Sequence, residues 1–367
     1  MKQLLAYCLS IILCVSFTGC MENYLDLYPE DKITSASFPE NESDIKLLLN
    51  GVYAQLREKE VYNQGLFGFG ITDGATPNAF NWGTDEVFNK LGAGRLSSSD
   101  GGVVTYRWKR CYEIISRANY LLACMDLVDL SEEAKAKYSG ETHFLRGLAY
   151  SVLAETYGGV PIILTNISTE EARSLKRASL EETWQQALDD YEVAITNLGV
   201  DAPEPGRATK GAALGMKMRA YLYQGKYKEV LACVEQIDAL KKYGLFHSYE
   251  GLFDPANENN KEVLFDIQYI EGENSQGSYI DQYCGTGTGS WTRGSRYVPT
   301  DDLVAAYETT DGSPVDPENP YENRDPRLGF TAVLPGSYFL GYRFPNYLYP
   351  GGAFNHAGNR LKHLSTR

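Results

Sequence analysis

Apolar residues recur at intervals of three and four through most of residues 43–240, the period of helices with one buried face. The first run opens at Ser43 and brings Ile45, Leu48, Leu49, Val52 and Leu56 to one side. The next begins near Thr105 and aligns Trp108, Cys111, Tyr112, Ile115 and Leu122. A third helix is predicted over residues 131–157, where Leu145, Leu148, Ala149 and Val152 form an apolar stripe. Gly147, Ala149, Ser151 and Ala154 interrupt that surface with small side chains, so a second helix can approach closely. Gly158 and Gly159 can take the left-handed backbone that ends a helix, and Pro161 cannot continue one.

Ser179-Leu-Glu-Glu182 is a capping box, in which the Ser oxygen and the Glu carboxylate satisfy free N–H groups at a helix start. Behind it Trp184, Ala187, Leu188, Tyr191, Ile195 and Leu198 repeat at helical spacing up to Gly199. Thr209 caps a further helix to Gln224, which breaks at Gly225 and resumes through Tyr227, Val230, Leu231, Val234 and Ile237. Tyr221-x-x-x-Gly225-x-Tyr227 looks like a degenerate tetratricopeptide turn, so residues 141–198 and 209–240 are candidate stacked helix pairs. Beyond residue 244 the pattern changes. Val263, Phe265, Ile267 and Tyr269 alternate with Leu264, Asp266 and Gln268, which predicts a strand. Residues 303–307 read as a short helix before the Asp311-Gly312 turn, and residues 63–102 and 275–295 as long Gly-rich loops. The expected fold is mostly α: a scaffold of tetratricopeptide-like helix pairs with long irregular loops and a few short strands.

The N-terminus adds a destination. Lys2 precedes an apolar run from Leu4 to Phe17, and Thr18-Gly19-Cys20 follows, the layout of a bacterial lipoprotein signal in which Cys20 carries the lipid. The run is too short to serve as a spanning helix. The formal charge of −14 becomes −15 when Lys2 leaves with the signal, which disfavours nucleic acid and anionic headgroups and suits neutral ligands. Of the seven Cys, Cys111, Cys124, Cys233 and Cys284 remain in the mature chain as expected single thiols. Cys111 and Cys124 lie on one predicted helix about 20 Å apart, too far to pair. Neither a zinc site nor any other cofactor or metal is expected.

Glu141-x-x-Phe-Leu-Arg146, Tyr150 and Tyr157-Gly-Gly-Val-Pro161 together resemble the signature helix of the SusD/RagB family. The likeness extends through Leu49-Asn-Gly-Val-Tyr53, Trp108-x-x-Cys-Tyr112, Arg117-Ala-Asn119, Lys210-Gly-Ala-Ala213, Ala220-Tyr-Leu222, Glu262-Val-Leu-Phe265, Pro299-Thr-Asp-Asp-Leu303 and Asn323-Arg-Asp-Pro-Arg-Leu328. It implies a non-enzymatic lipoprotein of the outer membrane, at the cell surface. Such a protein captures oligosaccharides and passes them to a TonB-dependent transporter resembling SusC. The implied layout is a signal at 1–19, an anchor-proximal extended segment at 20–42, a helical region at 43–244 and a loop-rich region at 245–367. Family members continue into further loops and a late helix with an Arg-Tyr-Ala-Glu-type string, whereas this sequence stops at Leu364-Ser-Thr-Arg367. It therefore reads as a C-terminally truncated or shortened member, with an apolar face expected to lack cover.

Recognition of a neutral sugar needs flat rings for its C–H face and polar groups for its hydroxyls. Two loops supply both. One holds Asp73, Asn78, Phe80, Asn81 and Trp82, and the other Tyr283, Trp291, Arg293 and Arg296. Tyr338, Tyr342, Arg343, Phe344, Tyr347 and Tyr349 form a third aromatic group. Arg324-Asp-Pro-Arg327 reads as a rigid, salt-bridged turn, because Pro326 holds Asp325 extended. Gly285-Thr-Gly-Thr-Gly289 lacks the flanking strand, helix and Lys-Ser/Thr of a phosphate loop. Two alternatives stay open: a surface glycosidase, which needs two carboxylates at set separation, and a helical-repeat scaffold that binds peptide or protein.

Overall fold

Short polar side chains set where the helices begin. The computed structural model describes residues 38–57, 72–81, 90–97, 99–101, 103–269, 297–339 and 342–343. Helix α1 (Glu42–Tyr53) starts on Asn41, whose carboxamide oxygen accepts from the N–H groups of Ser43 and Asp44. After α2 (Val103–Cys124), α3 (Glu132–Tyr157) starts on Ser131. Helices α4 (Thr169–Ser174) and α5 (Leu180–Asn197) each start on a complete capping box, Ser168 with Glu171 and Ser179 with Glu182. Thr209 caps α6 (Lys210–Tyr223), and Gly225 at φ +71° turns the chain into α7 (Tyr227–Ala239). The mostly helical fold expected from the sequence is thus present, with helix starts where the caps lie. No described helix is long and apolar enough to cross a membrane.

Helix α3 is the centre of the fold. The sequence predicts a single apolar stripe, but every residue from Gly140 to Ala154 except His143 is buried, polar ones included. The reason is that α1, α2, α5 and α6 all pack against it. The small residues allow that crowding. A Cβ at Gly147 would sit 3.0 Å from the Asp190 Cβ and the Tyr191 ring of α5. Gly159 meets the carbonyl of Ala178 so closely that any side chain there would collide. From α3 the array continues through α5 and α6 to α7, each packed on the one before. Cys111, Cys124 and Cys233 are free and buried.

Polar residues inside this core are paired. Arg146, 6% exposed, donates to both carboxylate oxygens of Asp190 (2.7–3.2 Å), itself 1% exposed, and to the amide oxygen of Asn119 at 2.8 Å. Glu141 accepts from the Tyr53 hydroxyl at 2.8 Å and from Arg207 at 3.5 Å, and burial raises its carboxyl above the usual range. These contacts join α1, α2, α3, α5 and the turn before α6.

The alternating stretch 263–269 does not form a strand, because no neighbouring strand pairs with it among the described residues. It runs alongside α6 instead. Phe265 packs edge-on against Phe144 with centroids 4.9 Å apart, and Ile267 also reaches the core. Leu264 presses on Gly215 of α6. Helix α7 also departs from its pattern. Its stripe of Tyr227, Leu231 and Val234 is 67%, 64% and 37% exposed, and only Cys233 is buried. An apolar stripe buries only where another element packs on it, and among the described elements α7 packs closely on α6 and leaves this stripe uncovered.

Removing one partner of a buried ion pair leaves the other charge without compensation. Arg146→Ala is expected to destabilise the protein by about 3–5 kcal/mol in urea titration. A second expectation concerns acid. Burial lowers the pKa of His143, whose Nδ1 lies 2.8 Å from the Ser139 carbonyl, below the ordinary 6.5. The unfolded chain therefore takes up this proton first as pH falls. The stability that neutral His143 contributes is complete above pH 6.5 and is lost as pH drops through the folded value. His143→Gln is expected to flatten that part of the stability–pH profile.

Candidate functional site

Two segments far apart in sequence meet in a short ribbon beside the helical scaffold. Strand β1 (Ala79–Asn81) pairs antiparallel with β2 (Tyr297–Pro299), in the register Ala79 with Pro299, Phe80 with Val298 and Asn81 with Tyr297. A cross-link continues past the ribbon, where the Thr300 N–H donates to the Asn78 carbonyl at 3.0 Å and the Thr300 hydroxyl donates to the Pro77 carbonyl. The turn before β1 is tied by its own polar groups. Thr76 N–H donates to the Asp73 carbonyl at 2.9 Å, and Asn78 N–H to the Thr76 hydroxyl at 3.1 Å. Val298, 3% exposed, anchors the ribbon.

This pairing joins the end of the first candidate segment to the residues that directly follow the second in sequence. Asp73 and Asn78 are exposed and Phe80 is half-buried, all within the turn and β1. Asn81 stands opposite Tyr297 at the end where β1 leads to Trp82 and where Arg296 leads into β2. Trp82, Tyr283, Trp291, Arg293 and Arg296 lie outside the described residues, as does Cys20. The register itself has no counterpart in the sequence pattern, since three-residue strands carry too little alternation to announce a partner.

Downstream, Thr300 caps α8 (Asp301–Ala306) by accepting from Leu303 N–H at 3.1 Å. Arg324 then holds the far end of α8. Its guanidinium donates to the carbonyls of Val304, Tyr307 and Pro320, at 2.6, 2.5 and 2.6 Å. Arg324 is 9% exposed, so these bonds replace water at carbonyls a helix end leaves open. Asp325 pairs with Arg327 at the start of α9 (Arg327–Thr331), and that pairing holds its carboxyl at about 2. The salt-bridged turn read from the sequence is therefore present, with Arg324 as a carbonyl clamp and Asp325–Arg327 as the ion pair. Of the third aromatic group, Tyr338 and Phe339 (β3) pair with Arg343 and Tyr342 (β4), while Phe344, Tyr347 and Tyr349 lie outside the described residues.

Two of the hollows along residues 262–269 are bordered by side chains of α6 or α1, and the sequence pattern did not indicate either. One, of about 770 Å³, lies against α6 and is mostly apolar, with Leu148, Met216 and Phe265 among its walls. The other, of about 490 Å³, is bordered by Asn50, Tyr53, Arg57, Arg207, Asp266 and Gln268. In the second, Arg207 lies over the Tyr53 ring, 5.0 Å from its centroid, and is held by Asn50 and Glu141. Its guanidinium is thus already committed to protein partners. Among the described residues no group of His, Cys, Asp and Glu is arranged to hold a metal ion.

With this geometry in place, residues 23–222 match a family model described as starch-binding associating with outer membrane, and residues 261–362 match the model of the SusD family. A curated relative, SusD-like protein P25 of Formosa agariphila, is 26% identical over 321 residues, covering 81% of this chain and 58% of its own length. A crystal structure described as a SusD-like carbohydrate binding protein from Bacteroides fragilis superposes with a TM-score of 0.73 at 28% identity, covering 82% of this chain and 61% of that one. A second SusD-like structure from the same species gives 0.69 at 26% identity, covering 85% and 64%. The chain thus spans about six-tenths of the length of these proteins.

The carbonyl clamp is open to a direct test. Arg324→Ala is expected to remove the guanidinium from the carbonyls of Val304, Tyr307 and Pro320 and cost about 2 kcal/mol locally. Hydrogen–deuterium exchange should then rise in residues 301–331 while α3 and α5 keep their protection.

Proposed function

We propose that this chain, which belongs to the SusD/RagB family, is a non-enzymatic glycan-binding protein that captures oligosaccharides and passes them to a SusC-like TonB-dependent transporter. The observation that carries the reading is the β1–β2 ribbon. It ties the segment bearing Asp73, Asn78, Phe80, Asn81 and Trp82 to the end of the segment bearing Tyr283, Trp291, Arg293 and Arg296. On this reading both segments supply rings for a sugar face, with Asn78 and Asn81 of the first and Arg293 and Arg296 of the second for its hydroxyls, on a scaffold fixed by buried ion pairs. The family description and the relatives' printed names, which speak of starch and of carbohydrate, favour a glycan over a peptide.

Attachment is the second part of the proposal. The lipoprotein-type signal supports a lipid on Cys20, and the family's association with the outer membrane supports attachment there, with the cell surface as the face the family resemblance implies. The acidic surface, with a formal charge of −14, leaves adhesion to the lipid and the transporter partner rather than to anionic headgroups. Capture without hydrolysis requires no catalytic carboxylate pair. Release of reducing ends from the bound glycan by purified protein would instead establish the glycosidase alternative.

Trp82→Ala and Trp291→Ala are each expected to weaken retention in polysaccharide-containing native gels by roughly tenfold, the loss of one stacking ring. Melting curves should stay unchanged. Undiminished retention in both variants sinks this site, and peptide binding with no retention on any glycan favours the helical-repeat scaffold.

A further inference from the structure

A separate aromatic surface lies beyond α8. Tyr249, Phe253 and Phe330 are 46%, 66% and 50% exposed. The Tyr249 ring lies 5.6 Å from Phe253 and 6.2 Å from Phe330, so three rings from two chain segments form one continuous patch. The backbone beneath them is held. Gly251 N–H donates to the Ser248 hydroxyl at 3.0 Å, Asn257 Nδ2 donates to the Gly251 carbonyl at 2.8 Å, and Phe330 stands on α9.

The edge of this patch is charged and fixed. Arg327, whose side chain is 60% exposed, donates from Nε to Asp325 Oδ1 at 3.0 Å and from Nη2 to Oδ2 at 2.5 Å. The ion pair keeps Asp325 ionised, with its carboxyl at about 2. The phenols of Tyr249 and Tyr307 lie near Arg327, and the Tyr307 hydroxyl donates to Thr331 Oγ1 at 2.9 Å.

Such a mixture suits a pyranose. Its C–H face needs a ring, and its hydroxyls need an acceptor such as a carboxylate and a donor such as a guanidinium. We infer that Tyr249, Phe253 and Phe330, edged by Arg327 and Asp325, form a second contact site for a neutral polysaccharide. The inference rests on the glycan-capture reading above, and it adds that the ligand is a chain long enough to engage two places. Tyr307 follows α8 directly, and the other end of α8 adjoins β2 through Thr300. Six helical residues span only about 9 Å, so α8 puts the end of the ribbon a short way from Tyr307 at the edge of the patch. Two weak contacts on one chain reinforce each other through effective concentration.

The test uses the full chain in native gels containing soluble starch, laminarin or xylan, with calorimetry on a trisaccharide of whichever polymer retards it. Phe253→Ala/Phe330→Ala is expected to weaken polysaccharide retention by roughly tenfold and leave trisaccharide binding at the ribbon unchanged. Its melting curve should match the parent, because both rings are already at least half exposed. Arg327→Gln, a milder change at the rim, should weaken retention roughly threefold. Parental retention in both variants overturns the second site and spares the first. Equal loss of polysaccharide and trisaccharide binding overturns the separation of the two sites. A parent protein unretarded by every polymer overturns this inference together with the glycan-capture reading.

Discussion

The Arg146–Asp190 pair, completed by Asn119, is the constraint around which the helical array is built. It joins α3 to α5 and α2 at a place where no water can substitute. A buried guanidinium tolerates little displacement of its partners, since an unpaired charge inside a protein costs several kcal/mol. The three helices must therefore keep their mutual heights to within a hydrogen bond's reach. Gly147, one residue after Arg146, lets α5 come close enough for the pair to form. Apolar packing supplies most of the driving force for burial. The ion pair selects one arrangement among the many that such packing would accept.

The same helices hold the chain that leaves α3. Residues 161–165 run over α2 and α3, which supply donors to the carbonyls of Pro161, Ile163 and Thr165. The Tyr112 hydroxyl donates to Pro161 at 2.7 Å, Tyr150 to Ile163 at 2.9 Å, and Asn119 Nδ2 to Ile163 and Thr165 at 3.0 and 3.3 Å. Burial pushes the Tyr150 hydroxyl to about 12, so it remains a donor at any working pH. Arg177 closes the end of α3 by donating to the carbonyls of Tyr157 and Gly159 while its guanidinium faces the Trp108 ring. Recognisable sequence strings such as Trp108-x-x-Cys-Tyr112, Arg117-Ala-Asn119 and Tyr157-Gly-Gly-Val-Pro161 are thus parts of one polar clamp. Their side chains hold the scaffold together.

Function is expected at the periphery of that scaffold, and the two halves of the molecule differ in how legible they are. Caps at Ser131, Ser179 and Thr209 name helix starts because each oxygen bonds a backbone N–H three residues on. The break at Gly225 is equally local, requiring only a residue that accepts positive φ. The alternation at 263–269 misleads because alternation records which side chains face inward and leaves open what the backbone bonds to. Phe265 and Ile267 do face the core, yet the segment lies along a helix and no strand adjoins it. The exposed stripe on α7 misleads for a related reason, since periodicity describes a face and burial needs a neighbour.

By itself the sequence determined much that is governed by short-range chemistry: the starts of the long helices, the mostly α class, the family likeness and the two candidate loops, though it passed over the capping box at Ser168 that starts α4. The tertiary structure alone decided which distant groups meet. It paired Asn81 with Tyr297, aligned Arg146 with Asp190, and gathered Tyr249, Phe253 and Phe330 beside Arg327. Caps and turns are settled over three or four residues and leave a mark in the chain. Pairings across tens or hundreds of residues depend on the packing of the whole, and single residues such as Asp190 carry no local sign of the partner they will find.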